Sequence, residues 1–457
     1  MRSCLLVLAN LSMSVAHHEA LMLSGLKTIA AFSTHRDVKC RQHAVFCLGN
    51  LSSNPLNTAQ ILKSKCLRTM ISYAFPSREV AGHVQYQAIA GLRGLSSQEA
   101  HCIQMINEGV LEPLLIAVEA EEVEVRREAA ATLMNLSLSK VCILPIVSAG
   151  SLAILKRFLL HPDPGTRSFA MAAVANLSEA VEESGMVHER MFYEGFIKAL
   201  VKLGEEAIDD IDTLRQVSRC FSLLASRTKS HRPLIESGVA IPAVAALIKQ
   251  SADTELIRFG TVAIANLAVS PSSHAAIQES GILQAFAALS SSTDVETKKA
   301  LAHCFHHFSS SPTNHPYCEQ IYLAHYVCLL INDECRDVYL QAVLAARKLA
   351  VCPTNAHHIV YYHGVANLSA HALKDDIEVR REVGAALRNL ALHDVGKLNV
   401  VSSNALPPLY ELMHSADTDT CYQSVVALAN VCELLEKQSA VISSGALQHL
   451  KFVSRSK

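Results

Sequence analysis

Three observations predict an all-α solenoid, a stack of helical units sharing one core. The first is a recurring stretch. Glu122 to Ser137 reads EVEVRREAAATLMNLS, with Val125, Ala129, Leu133 and Leu136 on one apolar stripe at helical spacing and Glu124, Arg127, Glu128, Ala131 and Asn135 on a second. Variants end in ANLS at Asn10, GNLS at Asn50, ANLS at Asn176, ANLA at Asn266, RNLA at Asn389 and ANVC at Asn430. Gly94, Leu223, His307 and Lys348 hold the same slot without the amide, and successive slots lie 40, 44, 41, 41, 47, 43, 41, 41, 41 and 41 residues apart. A period of this size along a whole chain is the mark of a helical solenoid. The second observation is a glycine about 15 residues after the slot, at Gly25, Gly109, Gly150, Gly195, Gly238, Gly281, Gly364 and Gly445, with Cys66, His325 and Asn404 in the remaining places. The third is composition. Half of the residues are apolar yet only 5% are aromatic and Trp is absent, which suits thin helical layers better than one large globular core.

Each unit follows from these markers. After the slot comes a short apolar-periodic segment such as Ala275 to Glu279, then a glycine bend, where a positive φ and a close approach let two helices meet sharply. A medium segment such as Ile282 to Leu289 follows, then a polar link such as Ser290–Asp294 or Ala416–Asp419, and finally the long Asn-bearing helix. For 457 residues length alone suggests about three globular domains. The unbroken period overrides that count and predicts one solenoid over 1–457, without an internal boundary. In this scheme 1–12 is the third helix of a truncated repeat, 13–433 holds ten complete repeats, and 434–457 supplies the first two helices of another. Neither end shows a polar capping unit, so the expectation is either a piece of a longer protein or other surfaces covering these faces, of which head-to-tail self-association is one. The 44-residue step carries Phe75-Pro76-Ser77-Arg78; the 47-residue step carries Glu205, Glu206, Asp209, Asp210 and Asp212, read as a solvated acidic loop.

This short–medium–long pattern resembles the armadillo repeat over essentially the whole chain. The resemblance implies a right-handed superhelix of three-helix repeats whose long helices line a concave groove. It also implies that the slot amides bond the backbone of an extended partner segment. Asn10, Asn50, Asn135, Asn176, Asn266, Asn389 and Asn430 are the groove residues so implied. The chemistry suits the role, because an extended chain pairs with nothing internally and a carboxamide offers a donor and an acceptor. The alternative for the same residues is that each bonds a neighbouring repeat and shapes the stack.

Eight residues before the slot stand Arg127, Arg215, Arg258, Lys299 and Arg381, and at or beside it Arg93, Arg347, Lys348 and Arg388. These lie on or next to the Asn stripe, and a cationic groove would favour acidic or phosphorylated segments. Glu124, Glu128, Glu255, Glu296, Glu378 and Glu382 on the same face could neutralise it within each repeat. The importin-α subclass sets a Trp four residues before each groove Asn. Here those positions are Leu6, Phe46, Ala131, Ala172, Val262, Ala385 and Val426, which argues against classical import-signal binding.

The remaining features narrow the function class. A net charge of −2 favours neither nucleic acid nor an anionic membrane. Fourteen Cys without C-x-x-C or metal-finger spacing read as reduced core thiols of a cytoplasmic protein, and on that reading the N-L-S triplets are part of the repeat rather than glycosylation sites. No apolar run reaches the roughly 18 residues of a spanning helix. His303, His306 and His307 share a helix face, but no second ligand group at motif spacing joins them, so no metal is expected. His17-His18 and His357-His358 fall in loop-like segments. No P-loop, G-x-S-x-G, H-E-x-x-H or kinase signature occurs, so neither catalysis nor a cofactor is expected.

The expectation is a non-enzymatic scaffold binding extended segments of partner proteins. The repeats are similar to vacuolar membrane armadillo scaffolds and to β-catenin-like repeat domains. The vacuolar family is anchored by N-terminal acyl chains, and Arg2 stands where its myristoylated glycine would be. Peripheral membrane attachment is therefore expected only through a partner or a lipidated upstream segment. The alternatives are the substrate-binding part of a larger ubiquitin ligase and a ciliary or cytoskeletal armadillo scaffold.

Overall fold

The computed structural model describes residues 2–64, 66–77, 82–179, 184–207 and 209–455, and among them every regular element is helical. By internal contacts the chain forms two compact units, Met1–Pro233 and Leu234–Lys457.

In the first unit the long helices are α1 (Arg2–Ser12), α2 (Val38–Ser52), α3 (Gly82–Ser96), α4 (Val123–Ser137), α5 (Pro164–Glu179) and α6 (Ile211–Ala225). Each packs on the next, and shorter helices form the layer behind them. α4 shows why. Val125, Ala129, Leu133 and Leu136 are all buried, and Ala130 and Ala131 on the flanking face are buried too, so small side chains let two neighbouring long helices approach. The slot at Gly94 lacks its Asn for a steric reason: a Cβ there would stand 2.3 Å from the Ser52 carbonyl oxygen of α2.

The second unit repeats the plan with α7 (Thr254–Ala268), α8 (Val295–Ser309), α9 (Arg336–Leu349), α10 (Ile377–Leu390) and α11 (Thr418–Cys432), again packed in succession. No single described helix is long and apolar enough to cross a membrane.

Three local devices set the repeat geometry. At the start of the long helices an Asp-x-x-Thr pattern recurs: Asp163 takes the backbone N–H of Thr166 at 2.7 Å and its hydroxyl at 2.7 Å, and Asp210–Thr213, Asp294–Thr297 and Asp417–Thr420 do the same. A carboxylate there satisfies an orphan donor and complements the positive end of the helix. At the other end, a buried side chain six residues on bonds the last carbonyl. His18 reaches Ser12, His231 reaches Ala225, His274 reaches Ala268 and His315 reaches Ser309, each at 2.8–3.0 Å. His18 is thus a buried C-terminal cap rather than a loop residue, and Gln438 does the same for Cys432.

The third device is the bend. A left-handed residue precedes the medium helix at Gly109, Gly150, Gly195, Gly238, Gly281, Tyr322, His363, Asn404 and Gly445. This corrects the glycine ruler at three places. Gly25 has φ −103° and continues a helical turn. Tyr322, not His325, makes the sixth of these bends. His363 makes the seventh, while Gly364 is glycine for lack of room, since a Cβ would lie 2.4 Å from Ile359 Cγ2 and 2.8 Å from its carbonyl oxygen. The acidic stretch of the 47-residue step is also mostly helical: Glu205 and Glu206 end the helix Phe196–Glu206, Asp210 caps α6, and Asp212 lies in its first turn. Of the other insertion, Arg78 lies outside the described residues.

Candidate functional site: the long-helix faces

Within each unit the slots of successive long helices share one face. In the first unit a cavity of about 440 Å³ is bordered by Arg93, Gly94, Ala131, Asn135 and Phe169, from α3, α4 and α5. In the second a cavity of about 320 Å³ is bordered by Asn266, Lys299, His303, Leu340 and Gln341, from α7, α8 and α9.

The amides are held from behind. Asn50 Nδ2 donates to Ser12 Oγ at 3.0 Å, Asn135 Nδ2 to Ser96 Oγ at 3.0 Å, and Asn176 Nδ2 to Ser137 Oγ at 3.1 Å. Each of these serines donates its own proton to a carbonyl in its own helix, Ala9, Arg93 and Met134, which leaves a lone pair for the next repeat's amide. The N-L-S ending is therefore two halves of a contact: the Asn reaches back and the Ser receives from the repeat that follows. Among the described residues nothing donates to the Oδ1 of Asn50, Asn135 or Asn176, and all three side chains are half-buried.

The other slots differ. Asn430 Nδ2 reaches the Arg388 carbonyl at 3.5 Å, a weak contact. Asn10 is exposed and Asn266 half-buried, with no partner for either amide among the described residues. Asn389 does not present its amide at all. It is 6% exposed, its Nδ2 donates to the Arg347 carbonyl at 2.9 Å, and its Oδ1 accepts from Arg388 at 2.9 and 3.2 Å. The Asn389 amide is therefore taken up on both sides and does not stand ready for a ligand.

The cationic stripe is paired. Arg127 meets Asp163 at 2.7 Å and Arg381 meets Asp417 at 2.7 Å, in each case the Asp that caps the next long helix. Arg258 lies 3.2 Å from Glu255 and 3.9 Å from the capping Asp294. Lys299 bonds Glu296 at 2.9 Å and Asp337 at 3.5 Å, and Arg215 bonds Asp212 at 2.9 Å. Arg93 and Arg347 pair with Glu128 and Glu382 of the following helix. Neutralisation within a repeat, expected of Glu255 and Glu296, does occur, but the Asp caps of the next repeat were not foreseen as partners. Burial opposes ionisation of Asp163, yet the Arg127 guanidinium and the Thr166 donors outweigh it and bring the carboxyl down to about 2. Arg381 and Thr420 likewise hold Asp417 far below the usual carboxylate range.

The histidine face of α8 belongs to the same surface. Burial, then His307 and His306, push His303 down to about 4; burial likewise brings His306 to about 4 despite its 2.8 Å bond to Gln341. The His303 and His307 rings lie 4.4 Å apart. Among the described residues no group of three or more His, Cys, Asp or Glu could hold a metal ion. His303 and Gln341 border the α7–α9 cavity and were missed as surface residues, although their helical spacing from the slot was readable.

Three-helix repeats, capped long helices and a row of slot residues are those of an armadillo-type solenoid, and this chain is similar to armadillo-repeat proteins. Residues 393–433 match the family described as Armadillo/beta-catenin-like repeat. A 143-residue stretch is 26% identical to Vacuolar protein 8 of Saccharomyces cerevisiae and covers 31% of this chain but only 25% of that relative. Among solved structures an engineered protein superposes with a TM-score of 0.75 over 89% of this chain and 98% of its own, at 22% identity, a likeness of fold. A second engineered protein covers 53% of this chain at a TM-score of 0.47 and 21% identity. An armadillo solenoid is in general a protein-interaction scaffold, and its partners are other proteins.

Proposed function

We propose that the long-helix face of each unit binds extended segments of partner proteins without catalysing a reaction. The half-committed amide carries this reading. At Asn50, Asn135 and Asn176 the donor half is fixed to the preceding repeat, so the carbonyl oxygen is held out as an oriented acceptor. Its natural complement is a backbone N–H of a strand-like ligand, whose donors have no internal partner. An acceptor whose orientation is already fixed loses little freedom on binding. The paired cations favour segments of low net charge over the acidic or phosphorylated ones that the sequence suggested, because an anion would have to compete with Asp163, Asp294, Asp337 or Asp417.

The test is a display selection of random peptides on the full chain, followed by calorimetric titration of the enriched sequences. Asn135→Ala/Asn176→Ala is expected to weaken binding at least tenfold with unchanged helicity, each lost hydrogen bond being worth about 1 kcal/mol. Enriched peptides that bind the double variant as tightly as the wild type would end the proposal. Phosphorylation of a selected peptide is expected to give no gain in affinity.

A further inference from the structure

The second unit carries a cleft away from its long helices. A cavity of about 590 Å³ is bordered by His325, Leu329, Asn332, Tyr361, Tyr362 and His363. They come from the helices Leu323–Ile331 and Pro353–Tyr361 and the turns beside them. Tyr362 lies 4.4 Å from His325 and 5.0 Å from Tyr361, ring to ring, and Tyr322 lies 5.3 Å from His358. Tyr322 is 55% and Tyr361 69% exposed. Tyr361 and Tyr362 border the cavity, and the Tyr326 ring lies 5.0 Å from that of His325 beside it.

The backbone gives an independent sign. Among the described residues six left-handed bends are glycine, but His363 (φ 60°), which borders this cleft, and Tyr322 (φ 53°), which precedes the helix that supplies His325, are not. Side chains with a Cβ are strained in that conformation, and strain of this kind gathers at functional positions. Here it puts the His363 ring in the cavity wall and the Tyr322 ring 5.3 Å from that of His358, where the other left-handed bends among the described residues carry glycine or asparagine.

We propose that this cleft binds proline-rich segments of partner proteins in the polyproline II conformation. Among the described residues no Asp, Glu, Lys or Arg borders it, so a charged ligand would be desolvated there without a counter-charge. Exposed ring faces suit the flat apolar faces of proline. The tyrosine hydroxyls, the Asn332 amide and the histidine ring N–H groups supply donors for carbonyls that a polyproline II helix leaves unpaired. The volume falls within the range of a site that takes a few residues.

Fluorescence anisotropy of the full chain with fluorescein-labelled decaproline tests this, with ten-residue Gly-Ser and Gly-Lys peptides as controls. Decaproline is expected to bind and both controls to fail. Tyr322→Gly/His363→Gly is expected to melt at the same temperature as the wild type or higher, because glycine relieves the bends, while binding decaproline roughly tenfold more weakly. Asn135→Ala/Asn176→Ala is expected to leave decaproline binding unchanged, which separates this cleft from the long-helix face. No binding of decaproline at millimolar protein, equal binding by the double glycine variant, or tighter binding of the Gly-Lys peptide would each overturn the proposal.

Discussion

The two units share one plan and fasten their slot residues differently. In the first, three amides rest on serine hydroxyls of the preceding helix, Ser12, Ser96 and Ser137, and their oxygens remain open. In the second, the helix ends at Ala268 and Ala350 offer no hydroxyl, so Asn389 turns to a backbone carbonyl and is buried, and the intervening slots hold His307 and Lys348. The difference is that the slot amide keeps an open oxygen at Asn50, Asn135 and Asn176, where the preceding repeat supplies a serine hydroxyl, and is satisfied at Asn389, where it supplies none. Sequence period alone does not separate the two cases.

The comparison can be broken hardest at the empty slots. Installing the missing amide by Gly94→Asn in the first unit is expected to cost about 3 kcal/mol, because the new Cβ meets backbone on α2 rather than a side chain that could move. The matching change in the second unit, Lys348→Asn, sits on a half-buried position and is expected to cost about 0.5 kcal/mol, the difference in helix propensity. Urea unfolding of both variants checks the contrast, and a mild Gly94→Asn would refute the close packing of α2 and α3.

Features common to both units should respond alike. Asp163→Ala and Asp417→Ala each remove a helix cap and an ion-pair partner, and about 2 kcal/mol is expected for each. Asp→Asn at the same sites keeps the cap and is expected to cost about 1 kcal/mol or less, since the pairs are partly exposed. The thermal midpoints of the four variants decide it.

Acid should act more strongly on the second unit. His303 and His306 are held near 4 in the folded chain, so the unfolded chain binds protons first as pH falls below about 6.5. Their contribution is therefore complete at pH 7, declines from about 6.5, and is gone near 4. The capped carboxyl at Asp163, held near 2, adds its own loss only below about pH 4. A thermal midpoint a few degrees lower at pH 5 than at pH 7 is expected, and His303→Gln/His306→Gln should flatten that slope. At the slot contacts themselves, Ser137→Ala in the first unit is expected to cost about 1 kcal/mol, and Asn430→Ala in the second only a few tenths, because its 3.5 Å contact is marginal. Chevron or equilibrium denaturation of the pair resolves the difference.

Much of this architecture was legible. The slot period, the apolar stripe of α4 and the extent of Ile282–Leu289 follow from helical spacing and end signals, which are local. The bends were readable where glycine, or asparagine at Asn404, marks them. At Tyr322 and His363 the tertiary packing imposes a left-handed conformation on residues that do not favour it, and no local signal announces that. The groove residues were half legible. Spacing placed Asn135 and Asn266 on one face of their helices, but whether an amide points outward depends on an acceptor some 40 residues earlier. The cations failed as free charges for the same reason: the carboxylate that pairs with Arg127 is a cap belonging to the next helix, a role that Asp163 reveals only in three dimensions. The C-terminal histidine caps could have been found, since His18, His231, His274 and His315 all stand eight residues after a slot.

The central claim is that the open oxygen of a slot amide accepts a backbone N–H from a bound segment. Backbone N-methylation, scanned along a display-selected peptide and titrated against the full chain, tests it most directly. At one or two peptide positions methylation should weaken binding to the wild type roughly tenfold and add no further loss with Asn135→Ala/Asn176→Ala. Losses of equal size with the wild type and the double variant at every position would contradict it.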